Sequence, residues 1–136
     1  MNGNSMLAHR RVQGMVRQMA WSQALARIAI GTGMLTQPAT VSKSWSGEYD
    51  DTASSLPTRA FGTRDVVIGL GTVWSLRRGH PVRHWFVLGV ALELVDATVT
   101  LNKRGRQGIT GPPDTWELLT AAGLAGGILV AAALRE

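Results

Sequence analysis

Five charged residues stand inside otherwise apolar, glycine-rich stretches: Arg27, the adjacent pair Arg64-Asp65, and Glu93 with Asp96 one helical turn beyond it. Away from water, these residue types support two kinds of chemistry. Carboxylates and guanidiniums within a membrane segment mark proton or ion pathways. Paired with one another, they fix the register of neighbouring helices without adding much stability. A charge left alone at the bilayer centre costs about 3 kcal/mol on insertion scales, so the five are expected to meet. Their spacing agrees. In an antiparallel hairpin turning near His80, Asp65 lies fifteen residues before the turn and Asp96 sixteen after it, at one height. Glu93 shares a helix face with Asp96, and Arg27 comes within side-chain reach of Glu93. The expectation is a single polar cluster of Arg27, Arg64, Asp65, Glu93 and Asp96.

The stretches that must position this cluster run over 21–37, 57–77, 84–101 and 116–134. Pro38 cannot continue a helix and closes the first. Pro57 suits the first turn of the second. His80-Pro81 belongs to a tight basic turn, and Asp114 with Glu117 forms the pattern of a capping box before the last. Residues 1–20 make a basic arm with apolar positions at helical spacing. Two readings fit it: an amphipathic helix on a membrane surface, and a partly disordered arm. Residues 39–55, rich in Ser, Thr and acid, read as a solvent-facing loop. A cleavable leader is disfavoured, because Arg27 interrupts the apolar stretch and Pro38-Ala39-Thr40 is a poor cleavage site.

Length does not by itself decide between membrane spans and the helices of a soluble bundle. A span needs about 20 residues, and the second stretch has only 66–76 as an uninterrupted apolar run. Three features favour the membrane. Trp21, Trp85 and Trp116 open stretches and Trp74 nearly closes one, as an interfacial aromatic belt requires. Small residues crowd the stretches, with Gly69, Gly71 and the pair Gly123 and Gly127 placed for close helix packing in lipid. In water each such glycine would cost about 1 kcal/mol relative to alanine. Residues 123–134 carry no polar side chain at all, and so have no solvent face. The reading is an all-α, four-helix transmembrane bundle over 21–136 preceded by a basic amphipathic arm over 1–20.

At 136 residues the chain holds one domain's worth of core. The mean hydropathy of +0.06 is low for such a bundle because the arm and the 39–55 stretch are polar. There is no cysteine, which excludes disulfides, thiolate nucleophiles and thiolate metal sites. The net charge of +5 would suggest nucleic acid in a soluble protein. Here the basic residues flank apolar stretches, pointing to lipid headgroups instead. Counting Lys and Arg on the two sides gives seven against five for an inner amino terminus, so the expected location is a multi-pass plasma-membrane protein with its amino terminus in the cytoplasm.

The runs ARIAIGTGML with Arg27, AFGTRDVVIGLGTVWSLRRG with Arg64-Asp65, and ALELVDATVTL with Asp96 resemble a family of small actinobacterial integral membrane proteins. That resemblance covers roughly residues 21–134. It implies four spans, with Arg in the first, Arg-Asp in the second and two acids in the third. Glu93 stands where the family pattern suggests Asp. The family carries no assigned activity, so the resemblance bears on architecture alone.

For function, the leading expectation is an accessory or structural subunit of a larger membrane complex, docking through glycine-rich faces to another membrane protein or to a second copy of itself. The alternatives are a small oligomeric proton-coupled carrier using the charged cluster, and a soluble helical bundle. No enzyme activity, cofactor or metal is expected. His80 and His84 are four apart but lack a nearby acid, and Gly69-Leu70-Gly71 lacks the preceding strand of a phosphate loop.

Overall fold

The computed structural model describes residues 3–46, 55–108 and 111–134, and every regular element among them is a helix. The helices are α1 (Gly3–Thr36), α2 (Pro38–Ser46), α3 (Ser55–Arg78), α4 (Arg83–Gln107) and α5 (Thr115–Ala133). The acids Glu48, Asp50 and Asp51 of the expected loop lie outside the described residues. By compactness the chain forms two units: Trp21–His80, and Met1–Ala20 together with Pro81–Glu136. Helix α1 passes from one to the other without interruption between Ala20 and Trp21, so Trp21 lies in mid-helix rather than opening a segment.

Within the Trp21–His80 unit, α1 ends where proline requires. Gln37 alone separates α1 from α2. Its N–H still donates to Gly33 O (2.8 Å), and its carbonyl accepts from Val41 N (3.1 Å). Pro38, lacking an N–H, breaks the ladder there and opens α2. Residues 39–46, part of the stretch expected to be loop, are therefore helical. What holds α2 is tertiary: the Ser42 hydroxyl is buried against Thr58 Oγ1 of α3 at 2.6 Å. Helix α3 ends on Arg77 and Arg78, favourably placed for the helix dipole. Gly79 follows at φ +69°, and His80 N–H reaches back to Ser75 O at 3.0 Å. That bond is the Schellman closure that a left-handed glycine permits.

In the other unit, α4 and α5 pack side by side. Helix α4 continues through Asn102-Lys103-Arg104-Gly105-Arg106, six residues past the expected end at 101, and stops at Gly108 with φ +62°. Helix α5 opens with the capping box expected for it. Glu117 N–H donates to Asp114 Oδ1 at 2.8 Å, and Asp114 N–H donates to Glu117 Oε2 at 2.9 Å.

Among the described residues, two helices are long and apolar enough to cross a membrane, Arg83–Asn102 of α4 and Thr115–Ala133 of α5. The expected spans at 21–37 and 57–77 fall short of that standard. Arg27 and Gln23 interrupt the first, and Arg59, Arg64-Asp65 and Arg77 the second. The two apolar helices differ from soluble core helices in being mostly uncovered. Only 18% of the α4 window and 11% of the α5 window are buried. Leu94, Val95, Leu118 and Leu129 all face outward.

Candidate functional site

In the Trp21–His80 unit, the second half of α1 crosses α3 at glycines. A Cβ placed on Gly31 would sit 2.6 Å from Gly62 O, and one on Gly62 would sit 2.7 Å from Gly31 O. Seven residues along α3, a Cβ on Gly69 would meet Ala24 O at 2.8 Å. Backbone thus rests on backbone at both ends of the contact. The close approach delivers Arg27 to Asp65. Arg27 Nη1 donates to Asp65 Oδ1 at 3.1 Å, and Arg64 Nε and Nη2 donate to the same oxygen at 3.3 Å. The three side chains are 14%, 20% and 11% exposed for Arg27, Arg64 and Asp65.

An aromatic path leads away from this triad. The Arg64 guanidinium lies over the Phe61 ring, 5.1 Å from its centroid, and Phe61 meets Trp45 of α2 edge-on at 5.4 Å. A carboxylate oxygen that accepts from two arginines is held in one place. Removing it would leave two guanidiniums buried without their acceptor, which costs far more than the pair contributes. The triad joins α1 to α3.

The structure brings together three members of the expected cluster: Arg27, Arg64 and Asp65. Glu93 and Asp96 stand on α4, in the other unit, and each has an interaction partner. Asp96 is buried. Glu93 lies against α5 where that helix has no side chain, and a Cβ on Gly123 would meet Glu93 Oε1 at 2.9 Å. The glycines singled out for packing therefore serve different ends. Gly69 abuts the α1 backbone, Gly123 accommodates a carboxylate, Gly127 is buried on α5, and Gly71 is half-buried on α3.

The sequence did not point to the polar contact at the far end of the α4–α5 pair. Arg104 Nη1 donates to Glu117 Oε2 at 2.6 Å, and Arg104 Nη2 donates to Gly111 O. Glu117 thus completes its own helix cap and anchors the last turn of α4 at once. Below this pair lies a cleft of about 320 Å³ between the helices, with walls that include Ala97, Thr100, Leu101, Thr120, Ala121 and Leu124. Thr100 is exceptional. Threonines 32, 36, 63, 72 and 98 each return their hydroxyl to the carbonyl four residues earlier, at 2.7–2.9 Å. Thr100 Oγ1 is buried with no hydrogen-bond partner among the described residues. A buried, unsatisfied hydroxyl costs about 1–3 kcal/mol. One signal could have located the cleft: Arg104 and Glu117 each lie seven residues from a small or apolar wall residue, Ala97 and Leu124, two helical turns along the same face.

Of the tryptophans assigned to an interface, Trp85 and Trp116 stand in the first turns of α4 and α5, while Trp74 is exposed near the end of α3 beneath the Arg78 guanidinium (4.6 Å). His84 packs against Trp85, ring centroids 5.1 Å apart. Among the described residues, no group of three or more His, Asp and Glu side chains is placed to hold a metal ion. No protein-family model matches this chain, and neither a curated protein nor a solved structure does so.

Proposed function

We propose that this chain is a small integral membrane protein, anchored by α4 and α5, that serves as an accessory subunit of a larger membrane assembly. One observation carries the membrane part of this reading: two adjacent helices, apolar over a full span's length, turn most of their surface outward. In water that surface would drive aggregation. In hydrocarbon it needs no cover. The full arrangement proposed has four spans, over 21–37, 57–77, 84–101 and 116–134, with the amino terminus cytoplasmic. In it the Arg27–Asp65–Arg64 contact lowers the cost of carrying charge through the first two spans. Outward-facing Val67, Leu70 and Trp74 on α3 support the same arrangement. The subunit role rests on the triad being a lock, which leaves apolar outer faces as the means of engagement.

The natural absence of cysteine makes the topology directly testable. Single cysteines at Ser5, Ser44, His80 and Gly111 should label with an impermeant maleimide from alternating sides, and labelling of all four from one side would overturn the four-span arrangement. Gentle detergent extraction at native abundance should then yield a stoichiometric complex with a larger membrane protein.

A second reading, a small oligomeric proton-coupled carrier, is favoured by one contact, the Glu93 carboxylate seated at Gly123 within a candidate span. Reconstituted protein would then carry a proton flux that Glu93→Gln and Asp96→Asn abolish.

A further inference from the structure

The two ends of α4 are charged differently. At its carboxyl end, Arg104 is paired with Glu117 at 2.6 Å. At its amino end stands Arg83, and shortly before it, closing α3, come Arg77 and Arg78. All three are exposed, and among the described residues none meets a carboxylate. The sequence supplies none nearby: no acid occurs between Asp65 and Glu93, and none in α5 beyond Glu117. We infer that residues 77–83 are a headgroup-binding segment for anionic phospholipids, in which Arg77, Arg78 and Arg83 take the lipid phosphates of one leaflet. This inference rests on the membrane reading above.

The three cations keep their charge and most of their donors. The Arg78 guanidinium lies over the Trp74 ring, 4.6 Å from its centroid, an attraction that steadies the cation without neutralising it. Arg83 Nε donates to Ala131 O of α5 at 3.3 Å, and its two terminal nitrogens stay open to an outside acceptor. Arg77 has no side-chain hydrogen bond or ion pair among the described residues. Guanidinium donors match phosphate oxygens in charge and geometry. Only four residues, Gly79–Val82, separate Arg78 from Arg83, so their backbones start no more than about 18 Å apart. One stretch of leaflet surface serves all three.

The approach to the arginines favours lipid over an acidic protein segment. On α3, Val67, Leu70 and Trp74 follow one another along the outward face, and Arg77 and Arg78 come next. On α4, Arg83 is the first residue of the candidate span, with Trp85 in the same turn. Both helices thus pass from apolar side chains through tryptophan to arginine. That order is the order of acyl chain, interface and headgroup in a bilayer. An acidic peptide would call for the charges and not for the apolar approach to them. A cluster of cations beside a span collects anionic lipid, each cation raising the local preference about fivefold.

The test uses the full-length protein with a single cysteine, His80→Cys or Gly111→Cys, labelled with bimane and reconstituted in phosphatidylcholine vesicles. A small, equal fraction of phosphatidylglycerol or phosphatidylcholine, spin-labelled high on the acyl chain, then quenches the probe. At residue 80, phosphatidylglycerol should quench at least about fivefold more effectively than phosphatidylcholine, against less than about twofold at residue 111. Arg77→Gln, Arg78→Gln and Arg83→Gln together should bring residue 80 down to the ratio at residue 111, and the same three sites as lysine should keep most of the preference. Arg10→Gln, Arg11→Gln and Arg59→Gln remove equal charge elsewhere and should leave it unchanged. The comparison of the two labelled positions needs none of these variants and stands if one of them fails to fold. Equal ratios at the two positions overturn the proposal. So does an equal loss on removing the distant arginines. An unchanged ratio in the triple glutamine variant, with a co-purifying protein lost instead, overturns it in favour of an acidic partner. A protein that stays in the supernatant without detergent fails the membrane reading itself.

Discussion

Glycine meets its neighbour in two different ways in this molecule. At the crossing of α1 and α3, Gly31 and Gly62 each face the other's carbonyl oxygen, and nothing there can move aside without moving a helix. Between α4 and α5, Gly123 faces the tip of a glutamate side chain rather than backbone. The charged groups follow the same division. Asp65 is clamped by two arginines beside the rigid crossing. Glu93 rests in a notch that its own flexibility fills. One helix pair is fixed by its backbone, whereas the other is set by side chains and leaves room for a cleft.

The largest test of this contrast is Asp65→Ala, which removes the carboxylate that Arg27 and Arg64 share. It should cost about 3–5 kcal/mol in detergent unfolding followed by tryptophan fluorescence. Replacing all three together, Arg27→Met, Arg64→Met and Asp65→Leu, should recover most of that loss if the triad is only a lock. Stability that stays low in the triple variant would give the charges a role beyond register. Next comes Gly62→Ala, which sets a methyl against the Gly31 carbonyl and should cost about 2–3 kcal/mol as overpacking. Asp114→Ala removes half of the capping box that also orients Glu117 toward Arg104, and about 1 kcal/mol should follow in thermal unfolding. The smallest effect is expected at Gly123→Ala. Displacing the Glu93 tip offsets the alanine's better helix propensity, leaving stability within about 0.5 kcal/mol of wild type. A loss above about 2 kcal/mol there would show Glu93 to be as firmly held as Asp65, and the contrast would collapse.

The sequence made visible what local chemistry decides. Pro38 marked the end of α1, and Asp114 with Glu117 marked the start of α5, because a missing donor and a reciprocal cap act over a single turn. The demand that buried charges find partners put Arg27, Arg64 and Asp65 in one expected set, although spacing aimed Arg27 at Glu93 rather than at Asp65. Three features were not legible. Residues 39–46 look like a polar loop, and it is contact with α3, Ser42 to Thr58 and Trp45 to Phe61, that accompanies their helix. Residues 102–107 lie past the expected helix end at 101, yet they hold no proline, and α4 continues through them to bring Arg104 to Glu117. The orphaned Thr100 hydroxyl has no signature in sequence, since five other helical threonines return their hydroxyls to the carbonyl four residues earlier. Two of the four expected spans also miss the apolar standard, for the very reason that they carry the charges from which the reading began.

The division of the chain into units has a consequence for its birth. Residues 21–80 form one unit from a single continuous stretch, whereas the other is assembled from the first twenty residues and everything after His80. A ribosome releasing the chain from its amino end supplies all parts of the continuous unit before α4 exists. The opening segment of α1 must wait, helical in the finished protein but without its companions, until α4 and α5 have been made. That second unit is therefore completed only when the elements after His80 join a segment made before the first unit.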